Sequence, residues 1–285
     1  MQVFFLLNNM EPATDLSPGH FWMITANSTA AFVMAYLIVF YISFFTNIFT
    51  CGMFGFDISF DYNQIVYHIE PYQWTHDSVK LIYSAGPLLV FFTGLISLIG
   101  FFGLTEEQSR LKILFVWITL LAFNQTFGNL MIGNLFKQGV GHVFNWMYFT
   151  DTQKMIVALV GFFGLLTTAF IMASPVAVSA NSYFNKLGER NFPFFISSQI
   201  ILPFIFGYLL IVGYFSQRML FQEKFSWISL IVLIVIIFIN LNNADTKYFD
   251  EDDRKPGYSK FLIIGAIIMF VGLRIILSRS YTINW

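Results

Sequence analysis

Charge is scarce in this sequence: Asp, Glu, Lys and Arg together make 11% of 285 residues, against a hydrophobic share of 57%. A soluble domain carries roughly 25% charged residues, so this chain lacks the material to wet the surface of a single globule. The polar, highly charged composition of a disordered chain is missing as well. Lys plus Arg number 15 and Asp plus Glu 16, a formal net charge of -1, and without a basic excess no nucleic-acid partner is expected. The single cysteine, Cys51, excludes an intramolecular disulfide framework and any cysteine-rich metal site. Residues 1–27 hold no Lys or Arg, so they lack the positive n-region of a signal peptide. They are expected to form a short polar lead, punctuated by Pro12, Pro18 and Gly19, that lies outside the cytoplasm, because segments without basic residues translocate readily.

What the chain does have is long apolar runs. A bilayer core of roughly 30 Å takes about 20 apolar residues per helix, and seven segments approach that length: 28–50, 81–103, 113–136, 155–178, 194–215, 227–242 and 261–277. Backbone groups in lipid must be satisfied within each segment, so these are expected as helices. The fold class expected is an all-α polytopic membrane protein, a bundle of about seven transmembrane helices embedded in a lipid bilayer. Lys and Arg fall on both sets of alternate loops, so charge does not orient it. Aromatics reach 20% of the chain, and no single ring is given a role on abundance alone.

Two loops stand out. In 52–80, Phe56, Ile58, Phe60 and Tyr62 alternate with Asp57, Ser59, Asp61 and Asn63, the period of a half-buried strand, and a second apolar run occupies 65–69. A small hairpin at the membrane interface is expected there. The loop 244–260 carries Asp250, Glu251, Asp252, Asp253, Arg254 and Lys255, which reads as a solvated connector or a docking patch. The chain therefore divides into the lead 1–27, a three-helix core 28–145 that includes the β-loop 52–80, and four further spans in 146–285.

The third span carries most of the intramembrane polarity: Asn124, Gln125, Asn129 and Asn134. Gln125, Gly128, Asn129, Ile132 and Gly133 share helical spacing, so this face makes either a tight helix–helix seam or the wall of a wet cavity. Pro175 and Pro203 interrupt the fourth and fifth spans and permit kinks. Within the seven spans there is no Asp or Glu, which weighs against ion-coupled transport. No G-x-S-x-G, phosphate-cradling loop or H-E-x-x-H occurs. His68, Glu70, His76, Asp77 and His142 make a metal site only if the fold gathers them. Arg274, near the end of the last span, is expected to snorkel to the interface.

The order of features in 28–145 resembles the core of the site-2-protease family of intramembrane zinc metalloproteases. Its first core helix carries H-E-x-x-H and ends in a glycine opening a β-rich loop. The second begins with Gly-Pro, and the third ends in Asn, then glycines and an Asp ligand. Here the first span ends at Cys51-Gly52, the strands of 56–69 come next, and the second span opens with Ser84-Ala85-Gly86-Pro87. The third supplies Asn124 and Asn129 and leads to Gly139-Val140-Gly141-His142. Where the family has H-E-x-x-H this chain has Phe40-Tyr41-Ile42-Ser43-Phe44, and the acidic position falls near His142. Phenyl rings cannot ligate zinc, and without the Glu no carboxylate takes a proton from a bound water. The resemblance therefore implies a catalytically dead relative without a cofactor.

Three functions are expected in turn. The first is a non-catalytic subunit that holds partner transmembrane helices in an envelope complex of the bacterial inner membrane. The second is a transporter or channel for a small neutral solute, and the third a membrane-interface metalloenzyme.

Overall fold

The computed structural model describes residues 17–104, 109–137, 139–188, 190–215, 221–242, 247–249 and 257–285. The first helix, α1, spans Pro18–Met53 and starts ten residues before the apolar segment does. The cause is local: the Ser17 side chain accepts the His20 N–H at 3.2 Å, and Pro18 fills the first helical position, where no N–H is needed. Pro18 thus begins a helix instead of punctuating a loop. At 36 residues α1 is roughly 54 Å long and overshoots a bilayer core of about 30 Å.

Two short strands come next, β1 Ile58–Phe60 and β2 Ile65–Tyr67, paired antiparallel as the alternation at 56–63 predicts. The helix α2 is His76–Gly103, and α3 is Lys112–Phe136. A short helix, α4 (Val140–Trp146), precedes α5, Asp151–Ser179. The remaining elements are β3 (Lys186–Leu187), α6 (Phe192–Phe215), α7 (Phe221–Asn242), β4 (Lys247–Tyr248), α8 (Lys260–Ile276) and β5 (Tyr281–Ile283).

Five of these helices, α1, α2, α3, α5 and α6, are long and apolar enough to cross a membrane. The chain is accordingly a multi-pass membrane protein. The sixth and seventh expected segments are the helices α7, whose apolar stretch is Phe225–Leu241, and α8, of 17 residues. Outward faces are apolar: Phe92, Ile96 and Ile99 of α2 are each about half exposed or more. Such a face is an aggregation liability in water and a match for lipid.

α1 sits at the centre, packed by α2, α3, α6 and α8. Ser28 of α1 faces Gln199 of α6, Phe32 faces Gly207, and Tyr41 meets Tyr214. Likewise Asn27 meets Ser259 and Met34 faces Gly265 of α8. Both neighbours therefore run in the same direction as α1.

Two π turns, unannounced by the apolar pattern, interrupt the helices: Asn124–Gly128 in α3 and Ser197–Ile201 in α6. The second has a readable cause. Pro203 has no N–H to give back to Gln199, so that carbonyl lacks its helical donor. The Ser28 hydroxyl donates to it at 2.6 Å, while the Trp117 indole N–H donates to Ser28 at 2.9 Å. The Gln199 amide in turn donates to Ser179 Oγ at 2.6 Å, so one buried polar chain joins α1, α3, α5 and α6.

The sheet has a strand from an unexpected place. β5, from residues 281–283, pairs with the other edge of β1, giving the order β2-β1-β5. Trp285 caps it, its backbone N–H bonding Asp57 and its indole lying where a side chain on Gly52 would go. Arg274 does not reach outward past the bundle: its guanidinium lies 3.4 Å from the centre of the Tyr62 ring. That cation–π contact docks α8 on the hairpin. On the opposite side β3 pairs with β4. The acidic-basic run 250–255 and Glu11 and Asp15 of the lead lie outside the described residues.

Candidate functional site

Polar residues scattered over a hundred positions converge on one cavity of about 530 Å³ at the sheet end of the bundle. α1 supplies Phe40, Ser43, Phe44 and Asn47, at the spacing of a single helical stripe. α2 approaches it closely because Gly86 has no side chain: a Cβ there would stand 2.5 Å from Ser43 Oγ and 2.7 Å from Asn47 Oδ1. That approach brings Pro87 and Tyr83 into the lining, and the hairpin adds Asn63, Gln64, Ile65 and Tyr67. Burial raises the Tyr67 hydroxyl well above the ordinary phenol range, so it is a neutral hydrogen-bonding group.

The remaining wall comes from α3 and the turn after it. A π turn adds a residue to one turn of helix and re-aims the side chains beyond it, a feature common at functional sites. Here it splits the face that regular helical spacing predicts. Gln125 and Asn129 face the cavity, whereas Gly128 faces α7, with Ser229 Oγ where its Cβ would be. Asn124 also turns to α7 and donates to the Ser226 carbonyl at 3.1 Å. Asn134 donates to its own helix at Leu130, 2.8 Å away. Gly133 serves packing, since Gly141 rests directly on its carbonyl. The face is therefore divided, with Gln125 and Asn129 in the cavity lining and Asn124 and Gly128 against α7.

After α3 the chain reverses through Lys137 and Gly139, both at positive φ (56° and 55°), the second requiring glycine. The reversal carries His142 back into the lining, with its ring 5.3 Å from that of Tyr83. Burial disfavours the imidazolium and moves the His142 pKa below its ordinary value. Lys137 is the lysine of this lining, which among the described residues holds no arginine, aspartate or glutamate.

A second, enclosed chamber of about 30 Å³ lies behind Gln125 and Asn129, which line both spaces. Tyr36, Asn124, Tyr208 and Trp227 are among its other lining residues. This is room for a water molecule. Asn124 is 4% exposed, and its Oδ1 has no hydrogen-bond partner. An amide flip offers no remedy, because the NH₂ end must face the Ser226 carbonyl.

The other histidines stay apart. His68 bonds Ser59 Oγ at 2.8 Å, and His76 packs edge-on against Trp146. Among the described residues no three of His, Cys, Asp and Glu gather closely enough to hold a metal ion. Tyr41, between Phe40 and Phe44 in sequence, points away from the cavity and bonds Tyr214 at 2.6 Å. Sequence reasoning singled out Phe40, Phe44, Pro87, Gln125, Asn129, Gly139 and His142 of this lining and missed Asn47, Tyr67 and Tyr83. One signal was available: Asn47 lies seven residues after Phe40 and three after Phe44, an amide in the stripe of an apolar helix. No family model, curated protein or solved structure matches the chain.

Proposed function

We propose that this chain is a non-catalytic subunit of a membrane protein complex, a site-2-protease-like core that holds a partner polypeptide at the polar cavity without cleaving it. The observation that carries the proposal is the convergence on one cavity of Phe40, Phe44, Pro87, Asn129, Gly139 and His142, which are among the residues at family-motif positions; Tyr41, Gly52, Gly86 and Gly141 are not in its lining. Where that family needs ligands this lining presents two phenyl rings. The surrounding hydroxyls and amides suit the hydrogen-bonding groups of a peptide, with Lys137 as a single cationic contact. The bundle is read as seven-spanning: α1, α6 and α8, the first, fifth and seventh elements, run the same way, as odd members of an alternating series must. A bacterial inner membrane is the proposed location.

A photoreactive phenylalanine analogue at Phe136 or at Gln64, both in the lining, tests the reading in native membranes. Adducts to a second polypeptide at these positions, absent at the lipid-facing Ile99, are expected. Adducts at none of them, with a solitary chain after mild extraction, would refute it. The alternative is passage of a small neutral solute, favoured by Gln125 and Asn129 lining both cavity and chamber. Solute-dependent swelling of proteoliposomes, lost in Asn129→Leu, would support that instead.

A further inference from the structure

The outer surface of the bundle carries an apolar cleft of about 490 Å³ between α1, α6 and α8. Its floor is one stripe of α1, from Trp22 through Thr25, Ala26, Thr29 and Ala30 to Val33. The Thr25 hydroxyl folds back onto the Phe21 carbonyl at 2.9 Å, which quenches its polarity. Phe206 and Leu210 form the α6 wall, and Ile263, Ile267 and Phe270 the α8 wall. The walls meet where the Phe270 and Tyr214 rings lie 4.9 Å apart, and from there the cleft runs back along α1 to Trp22. Part way along that floor the Ser259 N–H bonds Asn27 Oδ1 at 2.8 Å, fixing the start of α8 against α1 and leaving Trp22 beyond it. Tyr258 and Lys260 beside it are exposed, as is Trp22.

We propose that the cleft holds one acyl chain of an anionic phospholipid, with the headgroup phosphate at Lys260. Length selects this occupant. From Lys260 to Val271 the α8 wall runs about 17 Å at 1.5 Å per residue, close to one leaflet of a core roughly 30 Å thick. A transmembrane helix must cross both leaflets, and with side chains it is about 10 Å wide. The residues at the mouth suit a headgroup: Trp and Tyr favour the interface, and a lysine attracts an anionic phosphate. Lys260 stands three residues before Ile263 and so shares its side of α8. The inference rests on α8 lying in the bilayer beside α1; the role of the polar cavity does not enter it.

The test uses the full chain in phosphatidylcholine vesicles doped with phosphatidylglycerol bearing a diazirine midway along one acyl chain. After irradiation, adducts are mapped to residues. Labelling of Thr29, Ala30, Ile263 and Ile267 several-fold above the outward-facing Ile264 and Ile268 of α8 is expected. Ala30→Phe, which fills the floor, reduces it to the outward level. Lys260→Glu, a surface change that leaves packing alone, reduces labelling by this probe and not by the phosphatidylcholine equivalent. Labelling of the outward face alone keeps α8 in lipid and overturns the site. Labelling of neither face overturns the placement of α8 as well. Adducts joining the cleft to another polypeptide, or an equal response of both probes to Lys260→Glu, also overturn it.

Discussion

Replacing Ser28 by alanine removes one hydroxyl and strands two buried groups. Ser28 is 1% exposed, donates to the Gln199 carbonyl at 2.6 Å and accepts from the Trp117 indole at 2.9 Å. Pro203 has already deprived that carbonyl of its helical donor, and Trp117 is wholly buried. An orphaned buried polar group costs roughly 1–3 kcal/mol. Hydrogen bonds within membranes average nearer 0.6 kcal/mol, because the unfolded helix also finds partners. With two groups stranded at once, a loss of about 2–3 kcal/mol is expected for Ser28→Ala. At about 2–4 °C per kcal/mol for a chain of this order of size, the midpoint should fall by roughly 5–10 °C. Cys51, the only cysteine and buried, provides the assay: a thiol-reactive dye reports its exposure during heating in mild detergent. Trp117→Phe breaks the same contact, so the double variant should lose less than the sum of the two. A midpoint within about 1 °C of wild type, or strict additivity with Trp117→Phe, would refute the network as a stabilising element.

Two further outcomes are expected. Burial lowers the His142 pKa in the folded chain, so the unfolded chain binds more protons between that value and about 6.5. The stability it contributes is present above pH 6.5 and is lost as pH falls through the folded value; the midpoint of His142→Gln should therefore decline less between pH 7 and 5. Glycines should separate by environment: a Cβ on Gly161 meets the Phe127 carbonyl at 2.6 Å and Met131 N at 2.8 Å, whereas one on Gly213 meets nothing within 4 Å. Gly161→Ala should destabilise by about 1–3 kcal/mol and Gly213→Ala stabilise by roughly 0.5–1 kcal/mol through helix propensity. Thermal midpoints of the same sign for both would contradict the packing of α5 on α3.

Much of the architecture is legible in residue order because lipid imposes local rules. A span must satisfy its own backbone, so apolar length alone locates the helices to within a few residues at most ends. The largest departure is the start of α1, where Ser17 and Pro18 extend a helix beyond the apolar run that marks it; α2 and α7 also begin before their apolar runs. The hairpin was legible from the alternation of Phe56, Ile58 and Phe60 with polar neighbours. The site was half legible: Gln125 and Asn129 stand out as amides in an apolar helix, and Gly139 and His142 by their place after it. The shared face of Gln125 and Asn129 was legible from their spacing; the parting of Gly128 from them was not, because a π turn depends on what packs against it. Here Gly161 of α5 and Ser229 of α7 occupy the space around Phe127 and Gly128.

The amino-acid order by itself determined that this is a membrane protein and where its long apolar helices lie, since the cost of burying backbone in lipid is met segment by segment. Only the tertiary structure decided which amides line the cavity and which turn away from it, that residues 281–283 complete a sheet begun at 58–60, and that α8 lies along α1. Those are contacts between residues far apart in the chain, and no local preference encodes them.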